Sequence, residues 1–309
     1  MRLQLVAWVV LVVALTGCGG QQVEETPAAP PAEVTGPGTV ASADGVEIAY
    51  TVHRVDDPNL VLVHGWMCDQ SYWKAVVPAL AEGFGVVTVD LAGHGASGVD
   101  RDAWTIRSLG ADVAAVVEEL DLDRVIVVGH SMGGLVALDA ARRLPDEVIG
   151  IIGVDTLHDA DEEVDPEQVE QMLAAFGSDF PATCDGFVRG MFVEGTDSAL
   201  VDEVVADMCA GPGDIGTALL DAYVAFDLPL AFAEADVPIR AINTDMWPSD
   251  VAGNREIADF DLVLLEGYGH FLMQEAPDEL TGAIIDTALE IVTVEPEAAD
   301  EGPVSPKAS

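Results

Sequence analysis

The sequence of 309 residues predicts an α/β protein with a mostly parallel, doubly wound sheet and an inserted helical cap. Short β-rich runs alternate with stretches of helical periodicity between Val46 and Val154. Several of these runs are almost continuously apolar, which is typical of parallel strands covered on both faces. Helical segments without a convincing buried strand follow Val154, and the strand pattern returns at Pro238. This order of elements predicts one sheet whose strands are interrupted by a helical insertion.

The predicted elements follow one another regularly along the chain. Strands are predicted at 46–52, 60–63, 86–89, 125–128, 148–154, 238–243 and 261–265. Apolar residues at helical spacing predict helices over 106–120 and 135–144, within 169–176 and 200–208, and near 279–291. The core is therefore expected to comprise 38–155 and 238–293, and the cap to comprise 156–237.

The N-terminal segment resembles an export signal. Residues 1–17 hold one cation and then an apolar run, Leu5 to Leu15, that is too short to span a bilayer. The run ends in Leu15-Thr16-Gly17-Cys18, which resembles the lipobox of bacterial lipoproteins, whose cysteine carries the lipid. We therefore expect an exported protein, lipid-anchored through Cys18 to a bacterial membrane on its periplasmic or cell-surface side. Residues 18–37 and 294–309 lack the apolar content for a core and are expected to form a disordered tether and tail.

The composition excludes some classes of function. Twelve Lys and Arg against 55 Asp and Glu give a net charge of −43 at pH 7. A surface this negative repels phosphate backbones, so we expect no binding to nucleic acid. Neither H-E-x-x-H nor C-x-x-C occurs, so we expect no metal, and we expect no cofactor. Cys184 and Cys209 could pair, which would suit an oxidising compartment.

The strongest chemical signal is the G-x-S-x-G segment Gly129-His130-Ser131-Met132-Gly133, between a predicted strand and a predicted helix. Such a turn holds its serine in a strained backbone conformation, and small residues are needed where strand and helix approach closely. The free N–H groups at the start of the helix point to the same place and suit a developing oxyanion. Ser131 is therefore the predicted nucleophile.

Four motifs in this order resemble those of the α/β-hydrolase superfamily, over about residues 38–293. Besides the Ser131 turn they are His64-Gly65-Trp66, the run from Asp90 to Ser97, and Gly267-Tyr268-Gly269-His270-Phe271. The resemblance implies that the backbone N–H groups of Trp66 and Met132 form an oxyanion hole and that His270 is the general base. It also implies that the turn of His64, Gly65 and Trp66 contributes to the substrate pocket.

The carboxylate of the expected triad has two candidates. Trp247 occupies the position after the first strand beyond the cap where the superfamily usually carries its acid. Asp155 ends the strand before the cap, a placement that resembles haloalkane and fluoroacetate dehalogenases, and Asp245 lies two residues before Trp247. Both candidates obey the chain order nucleophile, acid, base. We favour Asp155 and keep Asp245 as the alternative.

A serine nucleophile predicts acyl transfer to water through a Ser131 acyl-enzyme, with a small or medium ester, thioester or lactone as substrate. The alternatives on the same triad are an aminopeptidase, a C–C bond hydrolase and a cofactor-free haloperoxidase. A further alternative is a ligand-binding homologue with weak catalysis. A set of cap residues could line an acyl pocket, although core packing within the cap is the favoured interpretation: Met172, Phe176, Phe180, Phe187, Met191 and Phe192.

Overall fold

The computed structural model describes residues 35–162 and 164–294. Within them one sheet has eight strands in the order β1-β2-β4-β3-β5-β6-β7-β8, and only the two pairings of β2 are antiparallel. The strands are β1 Gly36–Ala41, β2 Glu47–Arg54, β3 Asn59–Val63, β4 Gly85–Val89, β5 Val125–His130, β6 Val148–Val154, β7 Ile239–Thr244 and β8 Phe260–Leu265. The predicted α/β class with a mostly parallel sheet is confirmed.

The central strands β3, β4 and β5 are buried at every position, because helices cover both faces of the sheet. On one side α2 packs against α3, and α3 contacts β5 and β6. Elsewhere α11 contacts β6, β7 and α1. The bounds outside the cap are η1 Gln70–Trp73 (a 3-10 helix), α1 Val77–Leu80, α2 Ile106–Glu119, α3 Met132–Arg143, α9 Val251–Ile257, α10 Leu272–Glu275 and α11 Pro277–Val294.

Among the described residues, five helices lie between β6 and β7, where the sequence predicts the cap. They are α4 Pro166–Ser178, α5 Phe180–Arg189, α6 Ser198–Met208, α7 Gly213–Val224 and α8 Leu228–Glu234. Four of these described helices begin after an aspartate whose side chain accepts a backbone N–H bond: Asp165, Asp179, Asp197 and Asp227. A disulfide between Cys184 in α5 and Cys209 at the end of α6 closes this part of the cap.

Two boundaries differ from the sequence prediction. Strand β1 was not predicted. It begins at Gly36 and so includes the last two residues of the segment 18–37, which we expected to be a tether. The reason is that β1, whose one partner among the described strands is β2, alternates between half-buried and exposed residues and so lacks a continuous apolar run. Helix α11 also includes Val294, the first residue of the expected tail. The predicted signal peptide and Cys18 lie outside the described residues.

In the described ranges no single helix is long and apolar enough to cross a membrane. By length and composition alone, α7 and α8 would qualify only as a pair, and that pair is bent by 68°.

Candidate active site

Ser131 lies at the sharp turn between β5 and α3. Its backbone angles are φ 52° and ψ −119°, a strained conformation for a residue with a side chain. A Cβ on Gly129 would lie 2.1 Å from the carbonyl oxygen of Gly133, and a Cβ on Gly133 would lie 2.5 Å from that of Val63. The turn therefore needs both glycines, as the G-x-S-x-G pattern indicates.

His270 follows β8 and is hydrogen-bonded to Asp155, which follows β6. The His270 Nδ1 to Asp155 Oδ2 distance is 2.6 Å. The other oxygen of Asp155, Oδ1, accepts bonds from the backbone N–H of Thr244 at 2.8 Å and from its hydroxyl at 3.0 Å. His270 is 5% exposed and Asp155 is 1% exposed, so this pair is largely shielded from water.

The pKa of Asp155 is lowered below its ordinary value. Burial acts to raise this pKa, but the hydrogen bond from His270, the charge of that imidazole and the backbone bond from Thr244 together lower it by more. The carboxylate is therefore ionised at neutral pH and accepts the Nδ1–H of His270. The Nε2 atom of His270 is left as the nitrogen that can take a proton.

Asp245, the alternative acid, lies elsewhere. Its side chain is exposed, and its Oδ1 accepts a bond from the backbone N–H of Gly267 at 2.7 Å. The carboxylate therefore holds the start of the loop that carries His270, without touching the imidazole itself.

One cavity of about 830 Å³ brings the predicted residues together. Ser131, Met132, Asp155, His270 and the Trp66 side chain all line it. Its apolar walls come mainly from the cap: Val164, Val169, Met172, Phe187, Met191, Met208, Leu220, Tyr223 and Val224.

The six cap residues singled out in the sequence therefore divide between two roles. Met172, Phe187 and Met191 line the cavity. Phe176 is buried in the core, and Phe180 and Phe192 pack against that core.

Trp66 connects the turn after β3 to the cap. Its indole Nε1 donates to the carbonyl oxygen of Gly216 in α7 at 2.8 Å, and its ring meets Phe176 and Phe187 edge-on. The side chain thus forms a wall of the cavity, while the expected oxyanion role concerns only the backbone N–H. Met132 is the first residue of α3, where a helix leaves its N–H groups without intrahelical acceptors.

His64 and Gly65, which the resemblance placed in the substrate pocket, are not among the described residues that line the cavity. His64 is fully buried; its Nδ1 donates to the carbonyl oxygen of Gly65 at 2.8 Å, and its Nε2 accepts the N–H of Leu91 at 3.0 Å. Burial lowers the pKa of His64 to about 4, so the ring is neutral and joins two loops.

His130 supports His270 from the residue before Ser131. Burial lowers the pKa of His130 to about 3, so the ring is neutral. Its Nε2 lies 3.0 Å from the carbonyl oxygen of His270, which can only accept, and therefore Nε2 carries the proton. The centroids of the His130 and His270 rings lie 4.6 Å apart.

Two aromatic residues beside the His270–Asp155 pair, His158 and Trp247, had no predicted role. His158 lines the cavity, and its Nε2 lies 4.0 Å from Asp155 Oδ1. Its Nδ1 accepts from the side-chain amide of Asn243 at 3.1 Å, so the proton is on Nε2, which faces Asp155. Trp247 also lines the cavity and meets the rings of His270 and His158 edge-on, at 5.3 and 6.0 Å. The sequence signal for Trp247 was its place in the chain, where the superfamily usually carries the carboxylate of the triad.

The described residues contain no group of three or more His, Cys, Asp or Glu side chains that could hold a metal ion.

Comparison with known proteins gives three findings. The model of the alpha/beta hydrolase family matches residues 60–283. A pimeloyl-[acyl-carrier protein] methyl ester esterase from Yersinia enterocolitica is 28% identical over 78% of this chain and 97% of its own length. A karrikin insensitive 2 receptor from Petunia hybrida is 28% identical over 64% of this chain and 78% of its own.

Among solved structures, a thermophilic esterase from Thermogutta terrifontis has a TM-score of 0.72 at 21% identity. The match covers 82% of this chain and 98% of the esterase, and at this identity it shows a shared fold.

Proposed function

Because the chain belongs to the alpha/beta hydrolase family, we propose that it is a serine hydrolase of a small or medium ester, thioester or lactone. The observation that carries this proposal is the apolar cavity shared by Ser131 and His270, in which a buried carboxylate bonds the imidazole at 2.6 Å. Similarity to a named methyl ester esterase over most of the chain supports the same substrate class.

In the proposed mechanism the Ser131 hydroxyl attacks the carbonyl carbon while His270 Nε2 takes its proton. Asp155 is the proposed acid: it holds the Nδ1–H tautomer and stabilises the imidazolium, and it takes no proton itself. The backbone N–H groups of Trp66 and Met132 donate to the oxyanion, a contribution of about 3–4 kcal/mol for each such donor.

The tetrahedral intermediate formed by this attack collapses when the bond between the acyl carbon and the leaving oxygen or sulfur breaks, and His270 gives its proton to that atom. An ester or thioester releases an alcohol or thiol, whereas a lactone keeps its new hydroxyl group on the acyl chain. His270 then takes a proton from water, whose oxygen attacks the acyl carbon, and the second collapse returns the proton to Ser131 Oγ. The product is a carboxylic acid that ionises at neutral pH.

A panel of chromogenic esters with matched Ser131→Ala protein tests this function. We expect saturable hydrolysis by the native chain and loss of at least 10³-fold in kcat for the variant. Full hydrolysis by Ser131→Ala would overturn the proposal. Three additions to the panel test the other reactions of this triad. Amino-acid amides test for an aminopeptidase, a vinylogous diketone tests for a C–C bond hydrolase, and bromide with peroxide tests for a haloperoxidase.

A ligand-binding protein with slow turnover is the second candidate, because one relative is named as a receptor. A fluorophosphonate probe separates the two. An activated Ser131 forms a covalent adduct that is lost in Ser131→Ala, whereas an inactive binding protein forms none while its cavity still binds ligand.

For localisation we propose export and lipid attachment at Cys18. The sequence Leu15-Thr16-Gly17-Cys18 supports this, and so does the Cys184–Cys209 disulfide, since such bonds persist in oxidising compartments. We expect the native chain to incorporate labelled palmitate and the Cys18→Ser variant to incorporate none. Equal labelling of both would contradict it.

A further inference from the structure

An open groove of about 600 Å³ crosses the cap beside α4. Its lining is Val164, Pro166, Val169, Glu170, Leu173, Ala174 and Val224, and we call it the cap groove. Three of these residues, Val164, Val169 and Val224, also line the catalytic cavity. The cap groove and the cavity therefore adjoin each other at these three residues.

The cap groove exists because α4 carries two adjoining apolar stripes. Met172 and Phe176 form the stripe that faces inward, where Met172 lines the cavity and Phe176 packs against Trp66. Pro166, Val169 and Leu173, spaced at three and four residues, form the second stripe. Pro166 in this second stripe is exposed, Val169 and Leu173 are half-buried, and Val164 at its edge is 52% exposed.

We propose that the cap groove binds the distal part of a long, unbranched acyl or alkyl chain whose ester group lies at Ser131. This inference rests on the proposed function and extends its substrate class from small or medium esters to esters with long chains. The mostly apolar lining of the cap groove and the three valines that it shares with the cavity favour such a chain, because burying apolar surface from water is favourable.

The charges around the two spaces favour a neutral chain over a free fatty acid. In the part of the chain that the structure describes, neither lining includes Lys or Arg, whereas Asp159, Glu162 and Asp165 line the cavity. A neutral ester therefore enters without an unpaired charge, and the carboxylate produced by hydrolysis is repelled. The same acids favour release of the product.

The kinetic signature is a rise of kcat/KM with chain length. A fully buried methylene contributes about 0.8 kcal/mol, which corresponds to about fourfold in kcat/KM, and a methylene in an open groove contributes roughly half of that free energy, or about twofold. Chains long enough to leave the cavity should therefore gain about twofold per added methylene until the cap groove is filled.

Ala174→Asp, with Ala175→Asp as the matched control, tests the assignment. Both alanines are exposed on α4, but only Ala174 lines the cap groove. We expect Ala174→Asp to lower kcat/KM for a tetradecanoate ester at least tenfold and to leave the butyrate ester unchanged, while the control changes neither. Equal effects of the two variants, or a native profile that is flat with chain length, would overturn the proposal. Circular dichroism verifies that α4 remains folded in both.

A binding measurement keeps this test independent of catalysis. Ser131→Ala protein is titrated with 1-decanol and with 1-butanol by calorimetry, with and without Ala174→Asp. We expect decanol to bind at least tenfold more weakly after Ala174→Asp. If this loss of binding is seen but the native chain hydrolyses no ester, the proposed function fails and the cap-groove proposal stands. An unchanged decanol affinity would overturn the cap-groove proposal. Sedimentation velocity would then test the alternative: if the native chain self-associates and Ala174→Asp does not, the groove binds a second copy of the chain.

Discussion

Asp155→Asn should inactivate the enzyme by reversing the tautomer of His270. Asp155 Oδ1 accepts two bonds from Thr244, one of them from a buried backbone N–H whose direction is set by β7. The asparagine oxygen is expected to take that side, because turning the amide nitrogen toward Thr244 would leave a buried donor unsatisfied at about 1–3 kcal/mol. The asparagine NH₂ group then faces His270 Nδ1 and donates to it, so the imidazole proton moves to Nε2.

An imidazole with its proton on Nε2 cannot take the proton of Ser131. The same change in a serine protease triad lowers kcat about 10⁴-fold, which corresponds to about 5.5 kcal/mol of lost transition-state stabilisation. We expect a loss of this order here, since the hydrogen bond at stake is short, at 2.6 Å, and buried. Substrate affinity should change little, because Asp155 supports the imidazole and not the acyl chain.

The assay is kcat on the best chromogenic ester, with thermal melting to verify folding and ¹⁵N NMR to report the His270 tautomer. Asp245→Asn is the matched control: its oxygen can still accept from Gly267, so activity should stay within about twofold. Near-native kcat for Asp155→Asn, together with a large loss for Asp245→Asn, would refute the reasoning and move the acid to Asp245.

Three other outcomes follow from the structure. The buried rings of His64, His94 and His130 have pKa values lowered by burial to about 4, 3 and 3, so they stay neutral where the unfolded chain is protonated. The contribution of these neutral rings to the free energy of unfolding is complete above pH 6.5 and falls as the pH drops. At pH 5 each ring should lower the free energy of unfolding by about 2 kcal/mol, or roughly 6 kcal/mol together. Urea unfolding measures this, and an equal free energy of unfolding at pH 7.5 and pH 5 would contradict it. Cys184→Ser should lower the free energy of unfolding by about 3.5 kcal/mol, because the lost disulfide spans 25 residues, and thermal unfolding measures this loss. Reductant should lower the melting temperature of the native chain but not that of the variant. Gly129→Ala places a Cβ 2.1 Å from a backbone oxygen of α3, so kcat should fall at least 100-fold and the melting temperature by several degrees; an active, equally stable variant would show that the turn can relax.

The sequence indicated the strand–turn–helix around Ser131 because all of its determinants lie in one contiguous segment. Continuous apolar runs likewise predicted the buried strands β3 to β6. The edge strand β1 was not predicted because its alternating pattern is weak. The motif that holds His64, Gly65 and Trp66 did not tell which of them lines the cavity, because a motif position does not show which face of a loop meets the cavity.

Local pattern and glycine positions alone predicted the buried strands, the strained serine turn and the helical character of the cap. Only the tertiary structure decided which aspartate bonds His270. Asp245 follows β7, the strand next to β8, yet its carboxylate turns outward, while Asp155, 115 residues from His270, turns inward at φ 44° and is held by Thr244. It also decided which cap side chains line the cavity and which pack in the core. Such choices depend on contacts between residues far apart in the chain, whose side-chain directions are set by packing that no local segment encodes.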